Sequence, residues 1–199
     1  MARKDKYRIL AFDPGMTITG WSLIEGDITN KDLLVLKLGA IEPGPTVNHA
    51  AYREEVARYD KRTISLSYLK EQVIKLIDEF NPDVITAEDI YINMRMPQAY
   101  GSLCMWIAIV RAVCRDHARK YLVTIPTKIC KLEISGSGSN GKLPVQQSIA
   151  ASEHIKFKDE NDLCHMTEHQ ADSIAVANAL AARYHDLIVK EVEARNERQ

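Results

Sequence analysis

The chain has 199 residues, enough for one domain with a sizeable core. Hydrophobic residues make up 46% and charged residues 27%, a globular balance that excludes a disordered or fibrous chain. A formal net charge of −1 excludes a globally basic nucleic-acid coat, and the apolar runs are too short and interrupted to span a membrane.

The first elements lie in RILAFDPGMTITGWSLIEGD. Residues 7–13 predict a buried strand that ends on the carboxylate of Asp13, where Pro14 and Gly15 break the chain. Residues 19–25 predict the next strand of a hairpin, and residues 33–41 a third strand. Pro43, Gly44 and Pro45 mark a loop, and the charged residues 50–59 predict a helix over the surface. Residues 64–80 place Leu66, Leu69, Val73, Leu76, Ile77 and Phe80 at helical spacing. NPDVITAED predicts a turn and then a strand over 84–87 that runs into Glu88 and Asp89. A long apolar helix is predicted over 102–120, a fifth strand over 122–125, and a glycine-serine loop at SGSGSNGK. Helices are predicted over 145–154 and 168–184, and the charged tail from His185 is expected to fray. A hairpin group followed by alternating helices and strands fits an α/β fold with a mixed five-stranded sheet flanked by helices.

Three acids interrupt apolar segments. Asp13 and Glu88 each end a strand, and Asp172 lies in the helical HQADSIAVANAL, three residues after His169 on the same face. Neighbouring strands can bring Asp13 and Glu88 together, and a packed helix can lay Asp172 over them. Clustered carboxylates repel unless a positive charge sits among them. Mg²⁺, which takes oxygen ligands, suits such a cluster, and two ions about 4 Å apart can clamp a phosphodiester. Singly these residues are unremarkable, since Asp-Pro-Gly is an ordinary turn signal. His165 and His169 have i,i+4 spacing, but HMTEH is not HExxH, which argues against zinc. Cys104, Cys114, Cys130 and Cys164 form no CxxC pair and read as reduced thiols of a cytoplasmic protein. The start, MARKDKYRIL, lacks the apolar core of a signal peptide. Between residues 90 and 150 eight Lys or Arg face two acids, a local basic excess that a solvated face could equally explain.

The segments ILAFDPGMTITGWSLI, NPDVITAEDIYIN, SLCMWIAIVRAV, IPTKICKLEISGSGSNGKLPVQQSI and HQADSIAVANAL, in this order, resemble the RuvC family of Holliday-junction resolvases. The resemblance implies an RNase H-like fold over residues 1–184, with 185–199 as a charged tail. It implies a homodimer that cuts four-way DNA junctions by symmetric paired nicks, leaving 5′-phosphate and 3′-hydroxyl ends. Asp13, Glu88 and Asp172 match the family's metal-binding acids for Mg²⁺ or Mn²⁺, two per site, and His169 falls at a fourth position. Tyr91 matches an aromatic that stacks on a base near the crossover. Lys131 and Lys142 match DNA-contacting positions, with Lys128 a weaker candidate. Helix 102–120, with Trp106, carries more apolar surface than one face needs and is the candidate dimer contact; the alternative use of that surface is the monomer's own core. Residues 46–66 form a longer segment than the family counterpart, with an edge, dimer or DNA role open. An actin-like ATPase or sugar kinase shares an Asp-x-Gly-x-Thr turn but needs two such lobes. A same-fold nuclease for flaps or forks, and a non-catalytic junction binder, are the remaining alternatives.

Overall fold

Near-continuous apolar runs build the first three strands, β1 (Lys6–Asp13), β2 (Thr19–Asp27) and β3 (Leu33–Ile41), paired as an antiparallel meander in a computed structural model. The structure describes residues 4–90, 97–136 and 142–198. β4 (Val84–Asp89) joins β1 in parallel, and β5 (Leu122–Pro126) joins β4 in parallel. A short β6 (Ile155–Phe157) runs parallel beside β3, giving the order β5-β4-β1-β2-β3-β6. The sheet therefore has six strands, one more than expected. Three residues are too few to show a period of two, so β6 falls at the end of the helix expected over 145–154.

Successive residues of β1 serve opposite faces. Tyr7, Ile9 and Ala11 join one core with α5 (Thr127–Ser135), α6 (Lys142–Ala150), α8 (Glu168–Arg183) and α9 (His185–Glu197). Leu10 and Phe12 join the other with α3 (Lys61–Phe80) and α4 (Pro97–Asp116). Asp13 thus continues the α8 side, and so does Glu88, in step with Val84 of the same core.

Several expectations are corrected. Pro43 opens the five-residue α1 (Pro43–Val47) rather than a loop, because a proline in the first turn loses no helical hydrogen bond. The helix expected over 50–59 is a 3-10 turn (Ala50–Tyr52) followed by α2 (Arg53–Tyr59). α5, and the short α7 (Glu160–His165), went unanticipated. Trp106 belongs to the core: it has no exposed surface, meets Phe12 edge-on at 5.7 Å, and its Nε1–H donates to Thr19 Oγ1 at 2.9 Å. The tail does not fray. α9 buries Ile188 and Val192, and Arg195 Nη1 donates to Asp83 Oδ1 at 3.0 Å and to the Lys6 carbonyl at 2.9 Å. The four cysteines are free thiols. Among the described residues no helix is long and apolar enough to cross a membrane.

Candidate active site

β1 and β4 carry two acids to one place. Phe12 pairs with Ala87 in the parallel register, so the next residues, Asp13 and Glu88, stand side by side at the strand ends. The turn after Asp13 is clamped by Thr19, whose Oγ1 donates to the Gly15 carbonyl at 2.7 Å and accepts from the Gly15 N–H at 3.3 Å. α8 lies across β2 and β1 with a capped first turn: Thr167 Oγ1 accepts from the Gln170 N–H, and the Gln170 side chain accepts from the Thr167 N–H. That turn presents His169, whose Nδ1 meets Asp13 Oδ2 at 2.7 Å. Gly20 permits the approach, because a Cβ there would collide with the His169 carbonyl.

Burial, and next the Asp13 charge, pushes the Glu88 carboxyl from its ordinary 4.5 up to about 8. A hydrogen bond to Asp13 and the charge of Asp172 act in the same direction, while the Thr127 hydroxyl opposes them. Thr127 Oγ1 is buried and, among the described residues, lies outside hydrogen-bonding geometry to any group. Its influence on Glu88 is therefore one of proximity. Cys130, one turn along α5, has its thiol raised by burial and then by Glu88, Asp172 and Asp13. Asp13, Glu88, Asp172 and His169 thus surround one region, bordered by Thr127 and Cys130.

In this arrangement Asp13 turns toward His169, and among the described residues no three His, Cys, Asp or Glu groups converge as a ready metal cage. The chemistry of the donors nonetheless fits a hard divalent cation. Three carboxylates supply oxygen ligands, the Glu88 proton is held by negative neighbours that a cation would offset, and Thr127 Oγ1 is an unsatisfied oxygen beside them.

On α5, Lys131 stands four residues after Thr127 on the same helix face, and Lys128 is exposed. Lys142 opens α6, but its side chain lies outside the described residues, as does all of Tyr91. Thr127 was missed because α5 was not anticipated. Gly20 stands in the TITG stretch, but only the packing of α8 shows what its hydrogen does.

No family model matches the chain. A crossover junction endodeoxyribonuclease RuvC of Orientia tsutsugamushi (strain Ikeda) is 31% identical over 170 residues, spanning 77% of this chain and 88% of its own. The RuvC of Dictyoglomus thermophilum is 27% identical over 151 residues, spanning 76% and 84%. Among solved structures, Thermus thermophilus RuvC matches with a TM-score of 0.63 at 17% identity, covering 89% of this chain and 96% of its own. The yeast mitochondrial Holliday junction resolvase Ydc2 matches with a TM-score of 0.64 at 15% identity, covering 97% and 85%. The fold is that of the RNase H-like resolvases. Within that class, the chain belongs to the RuvC family of crossover junction endodeoxyribonucleases.

Proposed function

We propose that this chain is a structure-selective endonuclease that resolves four-way DNA junctions, with Asp13, Glu88, Asp172 and His169 as its catalytic and metal-holding set. The observation that supports it most is that Asp13 and Glu88 directly follow the paired Phe12 and Ala87 on adjacent parallel strands, with His169 against Asp13 and Glu88 driven up to about 8. A divalent cation, Mg²⁺ or Mn²⁺ and two per site, supplies when bound positive charge for the phosphodiester and a lowered pKa for the attacking water. The four side chains hold that charge in place. Beside a bound cation the ionised form of Glu88 is favoured, and the imidazole of His169, oriented by Asp13, is placed to take or return a proton. Water adds to phosphorus and the 3′ oxygen leaves, so each nick ends in a 5′-phosphate and a 3′-hydroxyl.

Lys128 and Lys131 on α5 and Lys142 at the start of α6 contact phosphates, and Tyr91 stacks on a base at the crossover. Two symmetric cuts call for two sites, which a two-fold homodimer supplies. Residues 1–184 form the nuclease unit, α9 of the following tail braces it, and the enzyme works in the cytoplasm. The test incubates the protein with synthetic four-way junction, fork, flap and linear duplex, each with Mg²⁺ and with EDTA. Symmetric Mg²⁺-dependent nicks on the four-way substrate support the proposal. Cutting confined to forks or flaps selects a same-fold nuclease for other branches, and binding without cutting selects a non-catalytic junction binder.

A further inference from the structure

Directly behind the Asp13 turn, a groove of about 420 Å³ runs between that turn, α1 and the starts of α3 and α4. Its polar walls are Thr17, Asn48, Lys61, Arg62, Ser65 and Ser102, and among the described residues no acid lines it. α1 is set tightly against the turn, since a Cβ on Gly44 would stand 3.2 Å from the Thr17 Cα and Cγ2. Asn48 follows α1 and comes from the long 46–66 segment. That segment therefore forms one wall of a groove at the same end of the sheet as Asp13 and Glu88.

Three features select the occupant. Lys61 and Arg62 are exposed and form no ion pair among the described residues. Asp60 caps α3 and is the nearby acid; its carboxylate is engaged by the Thr63 N–H at 3.0 Å and the Thr63 hydroxyl at 2.8 Å, and only secondarily feels the Arg62 N–H and charge. Ser65 is only 5% exposed, lines the groove, and makes no side-chain hydrogen bond among the described residues. A nearly buried hydroxyl facing a groove, flanked by two cations whose one adjacent acid, Asp60, is turned to the start of α3, offers donors to an anion. Continuity with the Asp13 turn makes that anion a stretch of the sugar-phosphate chain that passes through the site.

We propose that this groove is a second backbone-phosphate site, in which Lys61, Arg62 and Ser65 hold a duplex arm of the junction. The proposal rests on the DNA-cutting reading and adds a footprint that the α5 and α6 lysines do not cover. Neutralising two phosphates contributes about two to the slope of log affinity against log salt concentration.

The test measures binding of a labelled four-way junction in EDTA across a salt series, using the full chain. K61E/R62E is expected to weaken binding and to lower the salt slope by about two. S65A is expected to weaken binding with the parental slope and the parental Tm, which a merely structural role for Ser65 would not do. K158E/K190E, an equal change of charge at exposed positions elsewhere, is expected to keep the parental slope. If K61E/R62E keeps the parental slope, or if K158E/K190E lowers it equally, while the parent still cuts junctions with Mg²⁺, this proposal alone is overturned. A parent that neither binds nor cuts junctions overturns the resolvase reading and this one with it.

Discussion

Replacing Trp106 separates a core residue from a subunit contact. Its ring has no exposed surface, packs edge-on against Phe12 at 5.7 Å, and donates from Nε1 to Thr19 Oγ1 at 2.9 Å. Removing a buried tryptophan costs about 3–5 kcal/mol, a large part of the stability of a domain this size. Trp106→Phe keeps most of the ring and loses the hydrogen bond, so about 2 kcal/mol is expected. Thr19→Val leaves the indole N–H and the Gly15 carbonyl without their partner, at about 2–3 kcal/mol. Because both changes break one shared bond, the double variant should lose about 1 kcal/mol less than the sum. Urea unfolding at two protein concentrations tenfold apart gives these values. The losses should be the same at both concentrations. A Trp106→Phe protein with an unaltered midpoint but weakened self-association would refute the core assignment and restore Trp106 to a subunit contact. Since Thr19 also closes the Asp13 turn, both single variants should cut junctions more slowly even where they remain folded.

Other outcomes follow from the same geometry. Glu88 has a folded pKa raised above its unfolded value, so its contribution is fully present below about pH 4.5 and is lost as pH rises toward 8. In EDTA, thermal stability should fall over that window by on the order of a few kcal/mol, and Glu88→Gln should flatten the fall while abolishing Mg²⁺-dependent cutting. Gly20→Ala forces a methyl group into the His169 carbonyl and should displace the first turn of α8. Cutting should drop about 10²-fold while junction binding in EDTA persists, and parental cutting by this variant would show that α8 has slack there. Arg195→Ala removes a partner of the buried Asp83 and should cost about 2–4 kcal/mol in chemical denaturation; a loss within error would mean that α9 is not a brace.

Much of this was legible in the sequence because its signals are local. The first five strands show as apolar runs stopped by Pro, Gly or acids, and Asp13, Glu88 and Asp172, unremarkable singly, stand out together because each interrupts an apolar segment. α8 was legible as an apolar helix interrupted by Asp172, and the acid and imidazole it presents from their spacing of three. The missed elements lack such contrast. α5 is nine residues of mixed polarity whose site-facing group, Thr127, resembles any helix-start threonine. α9 buries only Ile188 and Val192 on an otherwise charged helix, so its docking depends on Arg195 meeting Asp83 from a distant part of the chain. The apolar excess of α4 was visible, but its destination was not: Trp106 fills the space beside Phe12, and its N–H finds a threonine 87 residues away.

The proposed active site requires acids from two strands and one helix to enclose divalent ions. The most direct measurement is anomalous scattering from crystals of the protein soaked in Mn²⁺, compared with crystals of Glu88→Gln. Manganese peaks within ligand distance of Asp13, Glu88 and Asp172, weakened in the variant, are the expected result. Manganese bound only elsewhere, in a protein that still cuts four-way junctions, would contradict the assignment of the site.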